Sequence, residues 1–113
     1  MDKIKKVKED LPITCESFES LTAQMIAVFL SKQAMYGPDN ISLGGDMSDE
    51  KDRKLALLGI WFRMNDKIQR IQNILKKDFS DDEVEFEPLE DSYLDLANYA
   101  IISLLVKREI WGK

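Results

Sequence analysis

The chain has 113 residues, enough for a single domain, and 44% of them are hydrophobic while 33% are charged. This balance excludes a disordered or membrane-embedded chain, and the net charge of −5 argues against binding of duplex nucleic acid, which usually needs a basic patch. A single cysteine, Cys15, cannot form an internal disulfide, and there is no histidine to act as a base or zinc ligand. Any catalysis would therefore use carboxylates, lysine, tyrosine or a metal ion.

Neither end of the chain predicts an association with membranes. The N-terminal segment lacks the apolar run of a secretory signal. The longest apolar stretch, Leu94 to Val106, is shorter than the roughly 20 residues that cross a bilayer. We therefore expect a cytoplasmic protein.

Residues 1–11 are a charged lead-in that predicts a solvated arm. The first long helix is predicted from about residue 15, with Thr14 as its N-cap, to Tyr36. Gly37 and the proline after it are a strong stop signal. The polar, glycine-rich stretch at residues 37–47 then predicts a loop, a natural place for ligand contacts.

The second long helix is predicted to begin near Ser48 and to end near Lys76. Its apolar side chains alternate spacings of four and three, which predicts a seam against another helix. The predicted seam comprises Leu57, Trp61, Met64, Ile68, Ile71 and Leu75.

An acidic connector, residues 78–87, precedes a third long helix that is predicted from about Pro88 to Lys107. The second half of this helix is apolar nearly all round, which is typical of a helix buried on several sides. The fold class is therefore a single all-α domain over residues 1–113, a bundle of three long helices with room for a short extra one.

Four polar residues of the third helix, Glu87, Asp91, Asp95 and Asn98, are spaced four, four and three apart and lie on one face. Asp91 and Asp95 are one turn apart, so their carboxylates could converge on a cation, and oxygen ligands favour Mg²⁺ or Mn²⁺. The alternative is that these residues occupy the exposed side of the first turns, where acidic groups suit the helix dipole.

Cations lie on the second helix, where Arg63, Lys67 and Arg70 share a face beside the predicted seam. Such a face is most often solvated, but beside an acidic stripe it could bind phosphate oxygens. Further candidates for contacts with a base or sugar are Tyr36, Asn40 and Tyr93, with ordinary packing or turn formation as the alternative for each.

Three segments together carry a resemblance to a known family: YGPDNI (36–41), GIWFRMNDKIQRIQNIL (59–75) and EPLEDSYLDLANYAII (87–102). They resemble the phage-associated "nucleotide modification associated" helical domain, which is itself similar to the MazG-type all-α nucleoside triphosphate pyrophosphatases. The resemblance implies a helical bundle, a homodimer or larger assembly, and a location in the host cytoplasm if the chain is phage-encoded.

The pyrophosphatases use acidic pairs on two successive helices to bind Mg²⁺ and cut a triphosphate to a monophosphate and pyrophosphate. The resemblance carries their second pair onto Asp91 and Asp95. On the matching part of the preceding helix, Asp66 is the acidic residue, flanked by Arg63 and Lys67.

Three hypotheses follow. In the first, the chain is a Mg²⁺-dependent enzyme acting on a nucleotide phosphate: Asp66, Asp91 and Asp95 hold the metal with support from Glu87, and Arg63, Lys67 and Arg70 stabilise charge on the phosphates. In the second, the chain binds a nucleotide through Tyr36, Asn40, Asn98 and the cations without turning it over. In the third, it is a helical interaction module whose polar stripes are surface.

Overall fold

The structure, a computed structural model, describes residues 2–77 and 86–113, except for the side chains of residues 86–88. Every regular element in this part of the chain is a helix, which confirms the predicted all-α class. The helices are α1 (Asp2–Asp10), α2 (Pro12–Tyr36), α3 (Asp39–Ser42), α4 (Glu50–Leu75) and α5 (Phe86–Lys107). The three long predicted helices are α2, α4 and α5, and α3 is the short extra one. Most of the predicted acidic connector, residues 78–85, lies outside the described residues.

The N-terminal region differs from the prediction in two ways. The charged lead-in is solvated, as predicted, but it forms a helix, α1, where no helix was predicted. The helix α2 begins at Pro12. Proline has no N–H, but this has no consequence in the first turn, where backbone N–H groups have no acceptor within the helix. The N-cap is therefore Leu11, without a side-chain cap, and the prediction of Thr14 as N-cap was wrong.

The core lies between α4 and α5. Ala56 and Ile60 of α4 meet Ile102 and Val106 of α5, and all four side chains are buried. The small Ala56 allows the two helices to approach closely. The core is completed by Ile41, Met47 and Trp111, which the segments after α2 and after α5 supply.

The predicted seam on α4 was partly wrong. Trp61 is 56% exposed, and its ring makes an edge contact with Phe62 at the surface, with centroids 5.3 Å apart. The buried positions are instead Ala56, Ile60 and Ile74, with Ile71 shared between the prediction and the structure. Two further residues of the predicted seam, Leu57 and Met64, are partly buried and pack against the core.

The helix α2 packs against α5 with no buried residue of its own. Among the described side chains, polar contacts from Asn98 to Met25 and from Lys32 to Asp95 join it to α5, and both lie in its second half. None of the helices in the described residues is both long and apolar enough to cross a membrane.

The C-terminal segment fixes the start of the loop after α2. The indole Nε1 of Trp111 donates a hydrogen bond of 3.0 Å to the carbonyl oxygen of Pro38. The same ring meets Phe29 edge-on, with centroids 6.1 Å apart. The loop that follows α2 is therefore tied to the core from the opposite end of the chain.

Candidate functional site

A single carboxylate joins all three long helices. Asp95 of α5 accepts a hydrogen bond from Nζ of Lys32 of α2 at 2.5 Å through Oδ1. Its other oxygen, Oδ2, lies 3.1 Å from Nζ of Lys67 of α4. The Asp95 side chain is only 12% exposed, so both contacts form in a poorly solvated place where opposite charges attract strongly. The charge pattern predicted Asp95 and Lys67 as site residues, and the structure brings them together.

The titration of Asp95 reflects two opposing influences. Burial acts to raise its pKa because it penalises the charged carboxylate. The hydrogen bonds and charges of Lys32 and Lys67 act in the opposite direction and outweigh burial. The pKa of Asp95 therefore lies below its ordinary value, and the carboxylate is ionised at neutral pH.

A cavity of about 310 Å³ opens beside this carboxylate, between α2, α3 and α5. Its walls combine aromatic rings, carboxamides, a cation and two aliphatic side chains. The lining residues are Phe29, Lys32, Gln33, Tyr36, Asn40, Ile41, Asp95, Asn98, Tyr99 and Ile102. The size lies at the lower end of the range for small-molecule sites. Four residues predicted for catalysis or substrate binding, Tyr36, Asn40, Asp95 and Asn98, therefore share one cavity.

The polar residue Asn98 interrupts the apolar half of α5 and is 8% exposed. Its Nδ2 donates a hydrogen bond of 3.1 Å to the carbonyl oxygen of Met25, inside α2. A buried carboxamide needs such a partner, since an unpaired one would cost roughly 1–3 kcal/mol. This contact orients the side chain as well as joining the helices.

The predicted phosphate-binding residue Arg63 makes a different contact. Its Nη2 donates to the backbone oxygen of Asn40 at 2.8 Å and lies 3.4 Å from Oδ1 of the same residue. Asn40 is in the short helix α3 at the rim of the cavity. Arg63 thus connects α4 to the cavity wall through Asn40 and is not itself one of the lining residues.

Other predicted site residues lie apart from the cavity. Asp66, Arg70 and Asp91 are exposed and do not line it, and the side chain of Glu87 lies outside the described residues. Tyr93, also a candidate, is 49% exposed on α5. Within residues 2–77 and 89–113, no three acidic or cysteine side chains come together to hold a metal ion. A divalent cation at Asp95 would have to displace Lys32 or Lys67, so the described side chains do not fit a preformed Mg²⁺ or Mn²⁺ site.

Sequence reasoning did not single out Phe29, Lys32, Gln33 or Tyr99 of the cavity as site residues. A signal for Lys32 was present, because it is the one cation in the 25 residues of α2. It also lies three and seven positions after the apolar residues Phe29 and Met25, on the face that meets α5. A lone cation on the packing face of an apolar helix predicts a carboxylate partner on the neighbouring helix.

No family model matches the chain, and no match is found among curated proteins or solved structures. The fold and the site together define an all-α protein whose three long helices meet at one poorly exposed carboxylate, beside a cavity of mixed aromatic and polar character.

Proposed function

We propose that the chain is a nucleotide-binding protein and that the cavity beside Asp95 holds the nucleotide. The observation that carries the proposal is the composition of the walls. The aromatic rings of Phe29, Tyr36 and Tyr99 and the carboxamides of Asn40 and Asn98 line the same space as the ammonium group of Lys32. Aromatic faces stack on bases, carboxamides bind the polar edges of bases, and ammonium groups bind phosphate.

The charges at the site favour an anion despite the acidic chain. Lys32 and Lys67 face the single carboxylate of Asp95, which leaves one positive charge in excess. Lys32 is the more exposed of the two lysines, with 45% of its side chain accessible against 24% for Lys67. Lys32 is therefore the group free to turn toward a phosphate while Lys67 continues to neutralise Asp95.

Isothermal titration with a panel of nucleoside mono-, di- and triphosphates, first in EDTA and then in Mg²⁺, tests the proposal. Lys32→Met should weaken the tightest complex by about tenfold or more, because a charged hydrogen bond to phosphate is lost. The control is Lys51→Met, which removes an exposed lysine of α4 outside the cavity and should leave the affinity unchanged. If no nucleotide of the panel binds, the proposal is wrong.

The second candidate function is Mg²⁺- or Mn²⁺-dependent hydrolysis of a nucleoside triphosphate to a monophosphate and pyrophosphate. It is favoured by the position of Asp91 one helical turn before Asp95 on α5. Product analysis by ion-exchange chromatography, with ordinary and modified deoxynucleoside triphosphates, separates it from binding alone. Pyrophosphate release that is lost in Asp95→Asn supports an enzyme, and unchanged release in that variant removes Asp95 from catalysis.

We also propose that the protein assembles with a second copy of itself through α2. Phe18 and Leu21 continue the face of α2 that packs on α5 further along, yet they are 68% and 52% exposed. The chain exposes 8554 Å² in total. A compact monomer of 13.1 kDa would expose about 6,400 Å², so the chain exposes more surface than a compact domain of its mass, and pairing with a second copy would cover part of it.

Sedimentation equilibrium tests this assembly. Phe18→Lys should shift the protein to the monomer, because a buried lysine at an apolar interface is strongly unfavourable. Ser20→Lys adds the same charge to the exposed opposite side of α2 and should leave the mass unchanged. A wild-type protein that sediments as a monomer at all concentrations would rule the assembly out.

We propose the cytoplasm as the location of this protein, or the host cytoplasm if it is phage-encoded, because the proposed nucleotide ligand is found there.

A further inference from the structure

The carboxamide of Asn40 is held in one orientation. Its Oδ1 lies 3.4 Å from Nη2 of Arg63, and the same nitrogen donates to the backbone oxygen of Asn40 at 2.8 Å. A guanidinium only donates, so the atom facing it must be the amide oxygen. Asn40 therefore has its Nδ2, a hydrogen-bond donor, available to a ligand in the cavity.

The carboxamide of Asn98 is held in the opposite sense. Its Nδ2 donates to the carbonyl oxygen of Met25 at 3.1 Å, and a carbonyl only accepts, so the nitrogen must face α2. Within the described residues, no side chain or backbone group donates to Oδ1 of Asn98. Asn98 therefore has its Oδ1, a hydrogen-bond acceptor, available to a ligand in the cavity.

The cavity therefore carries one oriented donor and one oriented acceptor, which belong to α3 and α5. We infer that Asn40 and Asn98 select a ligand ring whose edge carries a hydrogen-bond acceptor beside a donor. The ring acceptor would bind Nδ2 of Asn40, and the ring donor would bind Oδ1 of Asn98. The Watson–Crick edge of a nucleobase has this pattern. The inference rests on the proposed nucleotide binding, and it specifies which part of the nucleotide is recognised.

Arg63 becomes a positioning residue in this arrangement. It does not line the cavity, but it prevents the Asn40 carboxamide from turning over and presenting its oxygen. Without Arg63, Asn40 could offer either a donor or an acceptor. The ligand would still bind, but the site would no longer discriminate between rings with different edges.

The test compares each of four nucleoside monophosphates with an analogue that lacks one hydrogen-bond donor of the Watson–Crick edge, either the exocyclic amino group or the ring N–H. The analogues are the phosphates of purine riboside for adenosine, pyrimidin-2-one riboside for cytidine, N1-methylguanosine for guanosine and N3-methyluridine for uridine. For the nucleotide that binds most tightly, the analogue should bind about tenfold more weakly or worse, since Oδ1 of Asn98 is left unpaired. Equal affinity for the natural nucleotide and its analogue would overturn the inference.

Two variants extend the test to the protein. Asn40→Ala should weaken the natural nucleotide by about tenfold, whereas Asn73→Ala, at an exposed position of α4, should not change the affinity. Arg63→Gln should reduce the affinity ratio between nucleotide and analogue while ribose 5-phosphate, which has no base, binds as it does to the wild type. If circular dichroism shows that Arg63→Gln is folded and its affinity ratio between nucleotide and analogue equals that of the wild type, the positioning role of Arg63 is wrong.

The outcomes separate this inference from the function on which it rests. If no nucleotide binds, the proposed function itself fails. If nucleotides bind but their analogues bind equally well, the nucleotide function stands and the recognition of the ring edge by Asn40 and Asn98 is wrong.

Discussion

Lys32 and Asp95 form an ion pair of 2.5 Å across 63 positions of the chain. The pair attaches α2 to α5, and it does so for a helix that has no buried side chain. Apolar burial is usually what holds a helix on its neighbour, at about 25 cal/mol per Å². In α2 the described polar contacts, from Lys32 and to the backbone of Met25, therefore carry an unusual share of the attachment.

Loss of the Asp95 charge should loosen this attachment. We expect Asp95→Asn to lower the free energy of unfolding by about 2 kcal/mol, because two charged contacts are lost in a poorly solvated place. The matched control is Asp91→Asn, which makes the same change one turn earlier at an exposed position and should alter stability by less than about 0.5 kcal/mol. Urea unfolding of both variants measures the difference. Equal stability of the two variants would show that the contacts of Asp95 contribute nothing net.

The same carboxylate predicts a pH dependence. The pKa of Asp95 is lowered in the folded protein from its ordinary value of 3.8. The unfolded chain therefore binds a proton more readily than the folded chain, and the stabilisation is complete only above about pH 4 to 5. It is lost as the pH falls through 3.8 and then through the lower folded pKa.

Urea unfolding between pH 3 and 6 checks this dependence. The difference in unfolding free energy between the wild type and Asp95→Asn should shrink as the pH falls, since the carboxamide that replaces the carboxylate in the variant cannot titrate. A constant difference over that range would contradict a lowered pKa.

The sequence was sufficient for the elements that depend on local signals. The end of α2 falls at the predicted Tyr36, because Gly37 and Pro38 restrict the backbone whatever surrounds them. The helix α5 ends at the predicted Lys107, but it begins at Phe86, two residues before the predicted Pro88. Periodicity likewise found the polar positions Asp95 and Asn98 on α5. What it could not supply was the identity of their partners, since Lys32 and Met25 lie on another helix and only packing brings them close.

The prediction that Trp61 lies in the buried seam of α4 was wrong because that, too, depends on packing against another helix. A heptad pattern ranks positions by hydrophobicity, but which side of α4 is buried depends on how closely α5 can approach. Ala56 and Ile60 allow the closer approach and are each 1% exposed, while Trp61 remains at the surface.

The core between α4 and α5 predicts a large effect at Ile60. Ile60→Ala should lower the free energy of unfolding by about 2–4 kcal/mol, because the lost methylene groups leave a cavity that the close packing cannot fill. Ile4→Ala makes the same change in α1, where the side chain is 65% exposed, and should cost less than about 0.5 kcal/mol. Thermal unfolding of both variants provides the comparison, and similar losses would place the core elsewhere.

Substitution of two glycines by alanine should change the free energy of unfolding in opposite directions, at Gly37 after α2 and at Gly59 inside α4. Gly37 has φ +73° and ψ 178°, a backbone conformation open almost only to glycine, and its N–H caps the helix through Gln33. A Cβ added there would meet no atom within 4 Å, so Gly37→Ala should be destabilising by about 1–3 kcal/mol through backbone strain alone.

Gly59, inside α4, also has no atom within 4 Å of an added Cβ, and its φ is not positive. Gly59→Ala should therefore raise the free energy of unfolding by about 0.5–1 kcal/mol, because alanine loses less conformational freedom than glycine in forming a helix. Urea unfolding of the two single variants measures both effects. Since an added Cβ at Gly59 meets no atom of the same chain and needs no positive φ, a loss of stability in Gly59→Ala would contradict the expected gain and would point to a second chain close to the α4 backbone at this position.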